Sequence, residues 1–399
     1  MQRRSGLLGM TGALVAVATA LPAPARASVG GDQMTRGGLV AGSGVAAPPV
    51  VPALSYVVAD ADTGAVLAAK APHRALRPAS TLKLLTALTL QPVLDPRATY
   101  RGTDADANVE GSRAGMVPGG TYTVTNLFQG MFLRSGNDTV HGLAVLHGGV
   151  TKTVADMNAE AARLQALDTH AVTPDGLDED GQVSSAYDLA LFGRAALRNP
   201  AIVSYATTTH ARFPGGPRSY GHAHPAFQLW SEQRFVQHYP GALGLKNGYT
   251  SLARNTLVAA ARRGGHTVVV TLMDDGAGAW RDAAKLADWY YAGGWHAAPV
   301  GQLVDPVQPA PAAAPAVSRA AAGTPAALRR ATTPSRSSVV PETAAGAGGA
   351  LVLAVVLLRL RAVRRTRRRR ALRAAQRRDV PSPRRPSRTA TSASTPKKA

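Results

Sequence analysis

Hydrophobic and polar positions change register several times along the chain, and each change marks an element. SYVVADADTGAVLAA (55–69) alternates on either side of the polar Asp62-Thr63-Gly64 and predicts a β-hairpin. RALRPASTLKLLTAL (74–88) runs extended as far as Pro78, then places Leu82, Leu85 and Leu88 at the spacing of a buried helix. A polar, Gly-rich stretch after Tyr100 has room for a further hairpin. Helical spacing returns from Val124 through Phe128 and Met131 and breaks at Arg134-Ser135-Gly136-Asn137. It resumes from Asp138 to Leu146, from Thr153 to Ala166 and from Ala186 to Leu197. GALGLKNGYT, NTLVAAA and HTVVVTLMD then predict three successive strands, the last apolar enough to be covered on both faces. Trp280, Ala283, Ala287 and Tyr290 mark a closing helix. Strands at both ends with helices between them predict an α+β domain over 53–303, its terminal segments meeting in one antiparallel sheet.

The flanks lack this patterning. Residues 1–27 combine Arg3 and Arg4, an apolar stretch from Leu7 to Leu21 and Ala25-Arg26-Ala27, the layout of a signal peptide cleaved before Ser28. Residues 28–52, rich in Gly, Ala and Pro, predict a flexible leader, and the Ala/Pro-rich 304–342 a linker. Residues 343–363 predict one transmembrane helix. The arginines that follow it predict a basic cytoplasmic tail over 364–399, and hence a membrane-anchored domain outside the cell.

Charge sharpens this division. The 399-residue chain carries +21, but residues 359–399 alone contribute +15, and residues 28–303 hold 22 basic against 21 acidic side chains. The basicity belongs to the tail, so no nucleic-acid partner is expected for the domain. The absence of cysteine removes disulfides and thiolate metal sites. His222 and His224, the one close histidine pair, have no third ligand in pattern and are assigned to a loop, so no metal or cofactor is expected.

Three polar clusters carry the candidate chemistry: Ser80 with Lys83, Ser135 with Asn137, and Lys246-Asn247-Gly248. Ser80 and Lys83 fall on one face of a helix N-terminus, where a serine can be a nucleophile and a lysine its base. By itself that spacing also fits a capping serine and a solvated lysine. The chain has only 7 Lys against 38 Arg, however, and Lys, unlike Arg, can give up its proton. Lys246 is the expected second cation holding the Lys83 pKa down. Ser135 can relay a proton and Asn137 can orient Lys83. The N–H groups of Ser80 and Tyr249 are the expected oxyanion donors. Arg254 and Arg281 are assigned as exposed arginines, and Trp280, Tyr290 and Tyr291 as packing residues.

With these clusters in order, the chain resembles the active-site serine penicillin-binding proteins of the D-alanyl-D-alanine carboxypeptidase type. The likeness is carried by DADTGAVLAAKAPHRALRPASTLKLLTAL, LFQGMFLRSGNDTVHGLA, MNAEAARLQALDTHAVTPDGLDEDG and GLKNGYTSLARNTLVAAA. It implies a β-lactamase/DD-peptidase-like fold with a helical subdomain. It also implies Ser80 as acylated nucleophile, Lys83 as base, Ser135 and Asn137 as second motif, and Lys246 to Tyr249 as substrate-binding strand. The implied substrate is a peptidoglycan stem peptide ending in D-Ala-D-Ala, with β-lactams as covalent inhibitors. Asn247 departs from the Thr usual in the third motif. A β-lactamase is disfavoured because Glu179 lacks an Asn four residues on; a catalytically weakened wall-binding protein is the remaining alternative.

Overall fold

A computed structural model describes residues 29–219 and 222–308. The segments expected to be signal peptide, transmembrane helix and basic tail, and most of the expected linker, lie outside the described residues. Among those described, no helix is long and apolar enough to cross a membrane.

Seven strands form one antiparallel sheet: β1 (Leu39–Ala41), β2 (Ser55–Asp60), β3 (Ala65–Lys70), β4 (Ala242–Thr250), β5 (Arg254–Arg263), β6 (His266–Asp275) and β7 (Gly301–Gln302). Their order is β1-β3-β2-β6-β5-β4, with β7 sharing the outer edge of β3. Chain ends far apart in sequence meet where β2 pairs with β6, Val58 opposite Val270. Both faces are buried, as the apolar run in β6 predicts. Val57, Ala59 and Val269 pack into one core cluster, and Tyr56, Val58, Val270 and Leu272 into the other. Full burial of each Val or Leu contributes about 1.5–3 kcal/mol.

Helices α1 (Lys83–Leu90), α2 (Val124–Arg134), α3 (Asn137–Leu146), α4 (Val150–Arg163), α5 (Ala186–Leu197) and α6 (Pro200–Thr207) lie between the two halves of the sheet in sequence, and α7 (Ala279–Tyr291) closes the domain. Their ends are set by local chemistry. Thr123 and Asn126 form a reciprocal capping box on α2, and Ser185 accepts from the Asp188 N–H at the start of α5. The two faces of the sheet are divided by the helices: α1, α2 and α5 contribute to the first core cluster, and α7 to the second.

Two boundaries differ from the sequence expectation. Residues 29–52 are not a loose leader: Met34 is fully buried and β1 pairs with β3. His73 fixes this segment by pointing Nε2 at the Val29 carbonyl, 2.9 Å away, and Nδ1 at Asp168, 2.6 Å away. The domain also continues past 303. The buried Arg194 bonds Leu303 O and Asp305, and the Val307 N–H donates to Arg163 O. A third difference is that His222 and His224 lie on a short strand, His222–His224, paired with Gly216–Ser219.

Candidate active site

Ser80 lies in a 3-10 turn, Ala79–Leu82, that runs directly into α1. The turn is placed by backbone contacts. Ala79 is buried with φ 47, a conformation a non-glycine residue holds only when its surroundings impose it. Gly176 presses on it so closely that an added Cβ would lie 2.0 Å from Ala79 O. Thr81 and Thr256 hydroxyls both donate to Pro78 O, at 2.5 and 2.8 Å. On the other side Gly248 of β4 lies flat against the turn, where a Cβ would come within 2.7 Å of Ser80 N. Side chains here are too large to admit, which explains glycine at both positions.

Lys83 is fully buried, with Nζ donating to Ser80 Oγ (2.9 Å), Asn137 Oδ1 (2.7 Å) and Asp175 O (2.5 Å). Three acceptors and no carboxylate contact make a site that holds either form of the amine. Burial pushes its pKa down to about 8, against the pull of the Asp175 and Asp138 charges.

Ser135 and Asn137 occupy the break between α2 and α3. Ser135 takes the left-handed conformation that ends α2, φ 54, and Gly136 leaves no room for a Cβ, which would meet Asp138 Oδ1 at 2.6 Å. Asp138 was no part of the expected site, yet it holds the break in place. Its buried carboxylate accepts the backbone N–H groups of Ala114, Gly115, Met116 and Thr139 at 2.8–2.9 Å. That folds residues 112–116 over the second motif, where Asn137 N donates to Ser112 O. Asn137 Nδ2 donates to Glu110 O at 2.7 Å, so its Oδ1 is aimed at Lys83.

Lys246, on the edge strand β4, reaches back to Ser135 Oγ (3.1 Å) and to Asn247 O (2.7 Å). The expectation that Lys246 depresses the Lys83 pKa as a second cation needs correcting. Lys246 is itself driven well below the ordinary lysine value, by burial first and by the Lys83 charge second. Burial is thus the first cause for both amines, and the Lys83 charge adds to it at Lys246.

Side chains alternate along β4. Lys246 and Thr250 face the helices, Thr250 bonding Asp178 at 3.0 Å, while Asn247 and Tyr249 line a cavity of about 410 Å³ on the other face. The start of α7 forms the cavity's far wall, with the Arg281 guanidinium 4.7 Å from the Trp280 ring. Arg281 is exposed, as the sequence assigns it; what the fold adds is that it lines the same cavity as Asn247. Glu179, the acid considered for a β-lactamase, is exposed, and its backbone carbonyl takes a bond from Arg77.

Comparison with known proteins agrees with this geometry. Residues 43–277 match the D-alanyl-D-alanine carboxypeptidase family, Peptidase_S11. The D-alanyl-D-alanine carboxypeptidase DacB2 of Mycobacterium tuberculosis is 41% identical over 251 residues, covering 61% of this chain and 84% of that protein. DacF of Bacillus subtilis is 30% identical over 250 residues, and this chain spans 62% of its length. Among solved structures, a D-alanyl-D-alanine carboxypeptidase from M. tuberculosis H37Rv superposes with TM-score 0.60 at 38% identity, over 67% of this chain and all of that one. The Streptomyces K15 DD-transpeptidase gives 0.58 at 25% identity, over 62% of this chain and all of its own. With 235 consecutive residues matched, from just after β1 to just past β6, the chain belongs to the D-alanyl-D-alanine carboxypeptidase family.

Proposed function

We infer that the protein is a serine-type D-alanyl-D-alanine carboxypeptidase acting on peptidoglycan stem peptides through an acyl-enzyme on Ser80. The observation that carries this reading is the Lys83 amine, desolvated to a pKa of about 8 and held 2.9 Å from Ser80 Oγ. Neutral Lys83 takes the Ser80 proton as Oγ attacks the carbonyl of the penultimate D-Ala. The N–H groups of Ser80 and of Tyr249 stabilise the oxyanion; one such donor is typically worth about 100- to 1000-fold in rate. The proton then passes from Lys83, or through Ser135, to the departing D-Ala amine, and the C–N bond breaks. Water attacks the ester and gives its proton back by the same route. Asn137 keeps Lys83 aligned, Lys246 positions Ser135, and Gly248 allows β4 to approach the nucleophile. Asn247 and Arg281 receive the terminal carboxylate. β-Lactams acylate Ser80 by the same steps.

We further propose that the enzyme is exported and anchored by the 343–363 helix, with the catalytic domain outside and the basic tail in the cytoplasm; protease accessibility in intact cells and in spheroplasts tests this. For the activity, purified protein is incubated with a fluorescent penicillin and, separately, with a peptide ending in D-Ala-D-Ala. Labelling and D-Ala release are expected, and both are lost in Ser80→Ala. A folded domain that neither takes label nor releases D-Ala would refute the reading.

A further inference from the structure

The cavity behind β4, about 410 Å³, has room for a side chain larger than the methyl of D-alanine. Besides Asn247 and Arg281, its lining includes Phe235, Leu257, Trp280 and Gln233. Gln233 is 1% exposed, and neither its side-chain nitrogen nor its oxygen has a hydrogen-bond partner. The Trp280 indole N–H is likewise buried and without one. A buried carboxamide left unsatisfied costs about 1–3 kcal/mol. Three orphaned polar atoms among the residues of one cavity lining therefore call for a ligand group that completes them. A carboxamide offers an NH2 donor and a carbonyl acceptor, and its best complement is another carboxamide, with the indole N–H donating to the ligand's carbonyl oxygen. Phe235 and Leu257 supply apolar contact for the methylenes of such a side chain.

We propose that Gln233, assisted by Trp280, is a specificity-determining residue for the position after the scissile bond, admitting C-terminal D-residues whose side chain carries a carboxamide as well as D-alanine. The proposal rests on the carboxypeptidase reading and extends it to the leaving residue. The substrate lies along the β4 edge with its scissile carbonyl at Ser80. Its C-terminal carboxylate meets Arg281 and Asn247, and the side chain of the last residue enters the cavity toward Gln233.

The test uses three peptides that differ only in the last residue, D-Ala, D-Gln or D-Met, the last matching D-Gln in length without its amide. Release of the terminal residue is measured with the intact protein and with Gln233→Met, which keeps length and removes both polar atoms. The intact protein is expected to favour D-Gln over D-Met by about tenfold in kcat/KM, the effect of roughly two neutral hydrogen bonds. Gln233→Met is expected to bring that ratio close to one. Its melting temperature without substrate should not fall, because an unsatisfied buried amide is replaced by an apolar group. Equal kcat/KM for D-Gln and D-Met in the intact protein, or an unchanged ratio in the variant, overturns the proposal. A fall in melting temperature with equal loss on all three peptides also overturns it, by showing a structural role. No release from D-Ala-D-Ala itself would instead defeat the carboxypeptidase reading, so the two failures are distinguishable.

Discussion

The pH profile of acylation tests the central electrostatic claim. Lys83 can take the Ser80 proton only when neutral, and its pKa of about 8 makes about one amine in ten neutral at pH 7, half at pH 8 and about nine in ten at pH 9. The second-order rate constant for a fluorescent penicillin should therefore rise about fivefold from pH 7 to 8, and about twofold more by pH 9. Stopped-flow labelling across pH 6–10 measures it. The source of the low pKa is tested by Lys246→Met. Burial is the first cause of the low Lys83 pKa and Lys246 is not among its causes, so removal of Lys246 is expected to leave the Lys83 midpoint in place. Acylation slows, because Ser135 loses a 3.1 Å contact, but the curve keeps its position. A Lys246 charge that held the Lys83 pKa down would instead raise the midpoint on its removal. A flat profile between pH 6.5 and 9 refutes the role of Lys83 as base. A midpoint that climbs by a unit in Lys246→Met refutes desolvation as the source of the low Lys83 pKa.

Three further outcomes are expected. Gly248→Ala places a Cβ 2.5 Å from Thr256 Oγ1 and 2.7 Å from Ser80 N, so β4 must retreat from the nucleophile; penicillin acylation should fall at least about 100-fold while the domain still folds by circular dichroism. Asp138→Ala leaves backbone N–H groups of residues 114–116 and 139 without their acceptor, and urea denaturation should show a loss of about 3 kcal/mol or more. The His73 pKa is raised by its bond to Asp168, although burial opposes it. Its stabilising contribution is complete below pH 6.5 and fades as pH climbs through the raised value. The stability gap between the protein and His73→Phe should accordingly be larger at pH 5.5 than at pH 8.5.

Much of this architecture can be recognised in the sequence because local and global signals coincide. The 55–70 hairpin has its polar turn at Asp62-Thr63-Gly64, and the α2–α3 break has Gly136 where no side chain fits. The leader shows no periodicity in the sequence because β1 is only three residues long and just one of them, Val40, is buried, in a strand held by its pairing with β3. The arm from His210 to Trp230 escaped for a similar reason: its strands are three or four residues each, interrupted by Gly and Pro. Within the site, motif residues were legible and their supports were not. Asp138 resembles any helix-starting acid until its carboxylate is seen to collect the backbone of residues 114–116. Arg281 and Asn247 are 34 positions apart, and nothing short of the folded sheet with α7 on it shows that they share a cavity.

The two lysines show why the site needs such supports. Both are fully buried, and two ammonium groups in one dry cluster repel, so burial works against the charged form of each and the Lys83 charge works against that of Lys246. Their acceptors differ: Lys83 donates to Ser80 Oγ, Asn137 Oδ1 and Asp175 O, whereas Lys246 donates to Ser135 Oγ and to its own neighbour's carbonyl. Asn137 is fixed by the loop that Asp138 gathers, and Asp175 by Gly176 pressing on Ala79. The base is thus positioned by residues that never touch substrate.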